Sequence, residues 1–502
     1  MARSPLPARR QLPRLTALLL LLPAAAPLPN GQGELPEMGV NAWYAFHENL
    51  VNYTWRPNYT LSEDVLAHQA VVASLGLREL GYTRFNFDDC IVVGRDPATH
   101  ELVPDPAAFP EGPLAVSQKL AAMGFSMGWY TVRGDTTCAS GPPPRLERPG
   151  SHGFEALDAL TYARWGISYL KDDTCGGPEV PYPVMGAALN SSGAHIFYSL
   201  CEPGAGPVNS PIGRSLGNGW RIDEDDGGLW RPILDNVNMN APLFANVGCD
   251  EQHAFDGHGC GWNDVCASAA SKRACVHSRT NQPSSSHLPQ MGLLMVGGGM
   301  THDEDRSHLA LWAIMATKLL ISVDVRKMTP EALALISNPE VIAIDQDALK
   351  LQGQRVLPPV NGSRSAEDRA RIARWKRENL AGGSWRAAGR AHELLVGGGH
   401  EAGAVPGTEE DDVLAAGGRP EVWQRQLVGG AWALLLFNNG MAAAAPIACT
   451  GSCFARMGFG PAALVRVRDV FARTDNGTVA ASDGFTAVVP SNGTVLVRLI
   501  AS

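Results

Sequence analysis

The chain has 502 residues, 45% of them hydrophobic and 18% charged. That is enough for one large domain and a smaller one, each with a buried core. A net charge of −9, with no basic stripe interleaved with aromatics, excludes nucleic acid as the partner.

The first element in chain order is a leader. Arg3, Arg9, Arg10 and Arg14 precede an apolar block at 15–26. The block is shorter than the ~20 apolar residues a membrane span needs. Small residues at 24–26 offer a cleavage site, so residues 1–26 read as a secretory signal peptide. No later segment has the pattern of a membrane span. Sequons at Asn52, Asn58, Asn190, Asn361, Asn476 and Asn492 agree with export. The expected route is the secretory pathway, ending in the extracellular space, a cell wall, or a lysosome or vacuole. Ten cysteines are then available for disulfides.

From 36 to 350, apolar strands alternate with helical patterns. Strands are expected over 39–45, 83–87, 126–131, 167–170, 195–200, 220–222 and 319–325, and helices over 62–80 and 113–123. This alternation predicts a parallel α/β sheet, and seven clear strands with one obscure one favour a (β/α)8 TIM barrel. Polar side chains gather after successive strands: Trp43, then Asp88 and Asp89, Tyr130, Lys171 with Asp172 and Asp173, Glu202, and the run 223–226. A barrel places its active site at the C-terminal ends of its strands. A doubly wound sheet would concentrate it at one switch point.

Residues 357–420 are rich in Gly and Ala and predict a loop-rich insertion. Short strands with Gly and Asn turns over 421–502 predict a C-terminal antiparallel β-sandwich.

One stretch carries the most chemistry: Tyr169-Leu170-Lys171-Asp172-Asp173-Thr174-Cys175. It delivers a lysine, two carboxylates and a cysteine to the end of a buried strand. Cleavage of a glycoside uses two carboxyl groups, and Asp173 and Asp225 form the best pair. Lys171 stands two residues before Asp173, on the same side of an extended strand. Its ammonium favours the ionised carboxylate that a nucleophile requires. Asp225 lies in Asp223-Glu224-Asp225-Asp226, where crowded like charges raise at least one carboxyl pKa, as a general acid requires.

Taken alone, each acidic pair also fits a loop start or a helix cap. The run 223–226 also fits a solvated turn or a divalent-metal site. His302-Asp303-Glu304-Asp305 reads as a helix start. Cys260, Cys266 and Cys275 lack a second ligand pair at zinc spacing. No P-loop, dinucleotide fingerprint or nucleophile elbow occurs.

Assembled in order, these segments resemble glycoside hydrolase family 27, the α-galactosidase family. Met38-Gly39-Val40-Asn41-Ala42-Trp43 is similar to the family's Gly-Trp-Asn-Ser-Trp. Phe85-Asn86-Phe87-Asp88-Asp89-Cys90 is similar to Ile-Asp-Asp-Cys-Trp. The 169–175 heptad is similar to Tyr-Leu-Lys-Tyr-Asp-Asn-Cys, and Ser199-Leu200-Cys201-Glu202 to Ser-Leu-Cys-Glu-Trp-Gly. The likeness is closest over 311–354, which includes Asp324-Val325-Arg326, and it resumes at Glu421-Val422-Trp423.

The resemblance implies a TIM barrel followed by a β-sandwich, and hydrolysis of terminal α-D-galactosides with retention of configuration. Asp173 falls on the family nucleophile and Asp225 on the acid/base. Asp88 and Asp89 fall on the pair that grips the 4- and 6-hydroxyls of galactose. Trp43 falls on the residue that stacks on the sugar, and Tyr130, Lys171, Glu202 and Arg221 on further sugar contacts. Cys138 and Cys175 fall on a disulfide. The resemblance implies no metal and no organic cofactor, and a galactose-containing oligosaccharide, glycolipid or polysaccharide as substrate.

Several positions depart from the family. Val40 and Ile91 replace tryptophans, and Cys90 has no partner cysteine near 48. Pro203-Gly204 replaces Trp-Gly in the loop that meets the sugar's 2-substituent, although Glu202 favours a hydroxyl there. Asp172 stands where the family has an aromatic or other neutral residue. Residues 265–290 interrupt the motif that follows Asp264, as an ordinary loop insertion or a translated retained intron. The competing functions are an α-N-acetylgalactosaminidase, a β-L-arabinopyranosidase, and a catalytically impaired galactose-binding relative.

Overall fold

The computed structural model describes residues 30–46, 60–140, 147–201, 216–221, 230–241, 262–264, 293–357 and 418–502. The expected signal peptide at 1–26, the expected insertion at 265–290, and residues 358–417, Glu202 and Asp225 lie outside the described residues.

The barrel strands follow in chain order. They begin with β1 (Met38–Asn41) and β2 (Arg84–Asn86), after which a hairpin intervenes, β3 (Val92–Arg95) with β4 (Leu102–Pro104). Then come β5 (Ser126–Val132), β6 (Ile167–Asp173), β7 (Phe197–Cys201), β8 (Gly219–Arg221), β9 (Trp262–Asp264) and β10 (Leu319–Ile321). The eight strands outside the hairpin form one sheet in the order β10-β1-β2-β5-β6-β7-β8-β9, with parallel pairs throughout. Neighbours in space are neighbours in sequence, and the last strand lies beside the first, Met38 opposite Leu319 and Val40 opposite Ile321. On the other edge of β10, Leu294 bridges Ile321. This is the strand order of a TIM barrel.

Strands covered on both faces carry near-continuous apolar runs, and β6 and β7 are buried almost throughout. Gly128 on β5 leaves room for the Asn86 side chain. A Cβ there would meet Asn86 Oδ1 at 2.1 Å, where β2 and β5 pair at Asn86 and Gly128.

Helices Leu61–Ser74, Pro113–Ala122, Glu155–Arg164, Tyr182–Ser191, Trp230–Asn240 and His302–Met315 connect the strands. Thr301 caps the last of these in a capping box with Glu304. The acidic run 303–305 is therefore a helical first turn, where carboxylates complement the exposed N–H groups. No helix among the described residues is long and apolar enough to cross a membrane.

Two strands end sooner than expected. Residues 42–45 form a helical turn instead of continuing β1, because Asn41 Oδ1 accepts the Trp43 N–H at 2.8 Å. Likewise Asp324 caps the 3-10 turn Val325–Lys327, and β10 stops at Ile321. In the first case a side-chain oxygen takes an N–H that a continued strand would have offered to its ladder.

The C-terminal domain is antiparallel. Its large sheet runs β11 (Gln354–Leu357), β12 (Arg419–Gln426), β13 (Trp432–Asn439), β18 (Thr494–Ala501), β15 (Leu464–Asp469), β16 (Thr474–Ala480). A second sheet pairs β14 (Ala445–Cys449) with β17 (Phe485–Val489). The sandwich starts earlier in sequence than the expected 421, because β11 precedes the 357–420 segment and pairs with β12 across it.

Alternation along β13 divides two cores. Leu434 and Leu436 pack with Ile447, Phe454 and Val489 inside the sandwich. Leu435 and Phe437 join the barrel's apolar cluster. A period-two pattern with both faces apolar is what a strand needs when it lies between two cores. Arg425 ties the domains, donating to the carbonyls of Ala313 at 2.6 Å and Asp345 at 3.2 Å.

Candidate active site

The C-terminal ends of the barrel strands carry the polar residues. Register places Tyr130 opposite Lys171 and Val132 opposite Asp173. It places Cys201 opposite Arg221, and Arg221 opposite Asp264. Lys171 and Asp173, two apart on β6, project to the same side.

Asp173 is buried and surrounded by donors. The Tyr130 hydroxyl lies 3.1 Å from its Oδ2, and the Thr174 N–H donates to Oδ1 at 2.8 Å. Lys171 Nζ stands 3.7 Å and Arg221 Nη2 3.9 Å away. Burial alone would raise this carboxyl. Lys171 first, then Arg221, the Cys201 thiol and the Thr174 N–H outweigh it and bring the pKa down to about 2. The carboxylate is therefore ionised across the working range of pH.

Lys171 also reaches both oxygens of Asp88, at 3.2 and 3.1 Å. Burial works against its charge, but Asp88 and then Asp173 hold its pKa above the usual lysine range. One ammonium thus links the carboxylates at the ends of β2 and β6. Asp89 accepts N–H groups from Cys90 at 2.6 Å and Ala139 at 2.8 Å. Desolvation nonetheless pushes its carboxyl up to about 6.

Trp43 stands on the helical turn after β1, largely buried. Asn41 organises this corner: its Oδ1 caps the turn, while its Nδ2 donates to Asp88 Oδ2 at 3.0 Å. Cys138 and Cys175 are joined in a disulfide with their Cα atoms 5.2 Å apart. The bridge fastens the loop that follows β5 to the residue just beyond Asp173, and it brings Ala139 to Asp89. Gly176 allows the close approach. It adopts φ +74°, and a Cβ there would meet the Thr136 carbonyl at 1.7 Å.

The potential ligand atoms of Cys138, Asp173 and Cys175 cluster together. Both sulfurs belong to the disulfide and offer no thiolate to a metal. Cys90 and Cys201 are both buried.

The structure therefore gathers Trp43, Asp88, Asp89, Tyr130, Lys171, Asp173, Arg221, Cys138 and Cys175 at one end of the sheet. Glu202 and Asp225 lie outside the described residues, although the strands that lead to them, β7 and β8, end at the same rim. Asn41, Thr174 and Cys201 belong to the site and carried no signal of their own in the sequence beyond lying in its motifs.

Asp172 points the other way. It is buried, and the Tyr198 hydroxyl donates to its Oδ2 at 2.6 Å. Desolvation dominates, opposed by the Tyr198 bond and then the charge of Arg133, and the pKa rises to about 7.

Comparison with known proteins agrees with this geometry. The family model described as Alpha galactosidase A matches residues 35–265 and 270–347. The model described as Alpha galactosidase C-terminal beta sandwich domain matches 417–499. An α-galactosidase of Cyamopsis tetragonoloba is 35% identical over 335 residues, covering 65% of this chain and 68% of that relative. An α-N-acetylgalactosaminidase of Gallus gallus is 35% identical over 341 residues, covering 66% and 75%. The crystal structure of α-galactosidase I from Mortierella vinacea superposes with a TM-score of 0.68 at 22% identity, covering 94% of this chain and 99% of that one. This last likeness is one of fold. The first family model alone spans more than half of the residues, including the strand ends just described, and the chain belongs to the α-galactosidase family of glycoside hydrolases.

Proposed function

We propose that this chain is an exported, retaining α-galactosidase that cleaves terminal non-reducing α-D-galactosides from an oligosaccharide, glycolipid or polysaccharide. The observation that carries the reading is the pairing of Lys171 with both Asp88 and Asp173, which keeps a buried carboxylate ionised at the end of β6.

Asp173 attacks the anomeric carbon while Asp225 gives its proton to the departing glycosidic oxygen. The product is a glycosyl ester on Asp173. Asp225, now a carboxylate, takes a proton from water as the water oxygen attacks the same carbon and frees Asp173. Two inversions leave the configuration retained. Asp88 and Asp89 accept hydrogen bonds from sugar hydroxyls, and ionised carboxylates are strong acceptors for them. Trp43 covers the apolar face of the ring. Tyr130 and Arg221 hold Asp173 in place before the attack.

A second reading, cleavage of α-N-acetylgalactosaminides, draws on the Gallus gallus relative named for that activity. A hydrolysis screen of the purified protein on nitrophenyl α-galactoside, α-N-acetylgalactosaminide and β-L-arabinopyranoside, with proton NMR of the first sugar released, tests both. Turnover of the galactoside with α-galactose appearing first is expected. Initial release of the β-anomer would rule out retention, and preference for the acetamido substrate would select the second reading.

A further inference from the structure

Thr174 follows the proposed nucleophile, and its hydroxyl is fully committed. It donates to the Cys201 carbonyl at 2.9 Å. Arg133 Nη2 donates to it at 2.9 Å, and the Tyr182 hydroxyl lies 3.2 Å away. A threonine hydroxyl has one hydrogen and two lone pairs. Its hydrogen goes to Cys201, so Tyr182 is the donor in the last contact.

The three partners come from three different elements. Arg133 follows β5, Cys201 ends β7, and Tyr182 opens helix Tyr182–Ser191. Arg133 is itself held on several sides. Its N–H donates to the Asp173 carbonyl at 2.9 Å, and its own carbonyl accepts the Val180 N–H at 3.2 Å. Its guanidinium pairs with Glu179 at 2.9 Å and lies 4.0 Å from the Tyr182 ring centroid. Tyr182 is packed in turn against Tyr198, whose hydroxyl lies 3.2 Å from the Tyr182 carbonyl.

The other end of Thr174 meets the chemistry, because its N–H donates to Asp173 Oδ1 at 2.8 Å. Pinning the hydroxyl fixes the residue, and fixing the residue fixes where that N–H points. The other groups that act on the Asp173 carboxylate, Tyr130, Lys171, Arg221 and the Cys201 thiol, are side chains.

We propose that Thr174 is a positioning residue: its hydroxyl, latched to Arg133, Tyr182 and the Cys201 carbonyl, aims its backbone N–H so that the Asp173 carboxylate is held in its attacking orientation. The inference rests on Asp173 being the nucleophile. A misplacement of about 1 Å costs on the order of 10²-fold in rate.

The test uses the full-length processed enzyme and 5-fluoro-α-D-galactosyl fluoride. The carboxylate bonds to the anomeric carbon as the anomeric fluoride leaves, and the ring fluorine slows turnover of the ester. Mass spectrometry locates the label, and loss of activity gives the rate constant of labelling. In the wild type the label is expected on Asp173. In Thr174→Val, which removes the hydroxyl and keeps the shape, kcat and the labelling rate should fall about 10- to 100-fold with KM nearly unchanged. Thr174→Ser, which restores the hydroxyl, should recover most of the loss.

A label on another carboxylate overturns the nucleophile assignment and this inference with it. A label on Asp173 with wild-type kinetics in Thr174→Val overturns the latch and leaves the nucleophile standing. Equal losses in the Val and Ser variants also overturn it, since the hydroxyl would then be irrelevant. Should Thr174→Val fail to fold, Tyr182→Phe deletes one of the two donors to the hydroxyl. A several-fold loss in labelling rate is expected there, and an unchanged rate overturns the latch.

Discussion

Asp172 and Asp173 are adjacent on β6, and their carboxyls titrate on opposite sides of the ordinary range. Burial lifts Asp172 to about 7, while Lys171 and Arg221 overcome the same burial at Asp173 and bring it to about 2. The cause is strand alternation. Successive side chains enter opposite faces, so one carboxyl meets the site's cations and its neighbour meets Tyr198.

Asp173→Asn should abolish turnover, by about 10³-fold or more, with an unaltered circular dichroism spectrum. The amide cannot attack carbon, yet it can still accept the Thr174 N–H. Steady-state kinetics on an aryl α-galactoside measures the loss. Wild-type activity would remove Asp173 from the mechanism.

Asp225→Asn should discriminate by leaving group. Substrates with poor leaving groups need the proton at departure and should lose about 10²-fold or more. Activated aryl glycosides should lose much less in the first step. Pre-steady-state release of the aglycone separates that step from hydrolysis of the ester. Equal losses for both substrate types would count against the acid/base role.

Asp172→Asn should stabilise the fold at neutral pH. A carboxyl whose folded pKa is raised favours folding in its neutral form. The benefit is complete below the unfolded pKa, near 4, and is lost as pH rises through the folded value of about 7. Wild-type stability should therefore fall between about pH 4 and pH 7. The amide is never charged and still accepts the Tyr198 hydroxyl, so the variant should gain on the order of 4 kcal/mol at pH 8 and show a flatter profile. Asp173, at about 2, contributes no slope in this window. Asp89 and Asp345, raised to about 6 and about 7, keep part of the slope in the variant. Urea midpoints at several pH values measure it, and an unchanged slope would contradict the assignment.

Replacing Cys138 and Cys175 together by serine should cost about 4 kcal/mol, from the loop-closure entropy of the cross-link. The two residues are 37 apart in sequence. The variant should also lose activity, since the bridge fastens the residue two after Asp173 and brings Ala139 to Asp89. A melting temperature within a degree of the wild type would show that the loops are held by other contacts.

Much of the barrel could be read from local pattern. An apolar run of strand length that ends in charged residues is a local signal, and β5, β6 and β7 lie close to where periodicity predicts them. The strand limits after β1 and β10 could not be read this way. Asn41 and Asp324 cap turns there, and a residue that caps looks in sequence like one that merely follows a strand. The sandwich edge strand β11 was also hidden, because its partner β12 lies beyond 358–417 and only pairing reveals it.

The sequence by itself determined which residues share a rim. Parallel strands joined by helices put their C-terminal ends on one side, whatever the loops do. Tertiary structure decided what each of those residues is worth. Lys171 stands between Asp88 and Asp173 although 83 positions separate it from the first. Asp172 finds Tyr198, 26 residues away, on the next strand. The Thr174 hydroxyl collects partners from three elements. The charge and orientation of a buried group depend on atoms within a few ångströms, and which atoms those are is settled only when distant strands are set side by side.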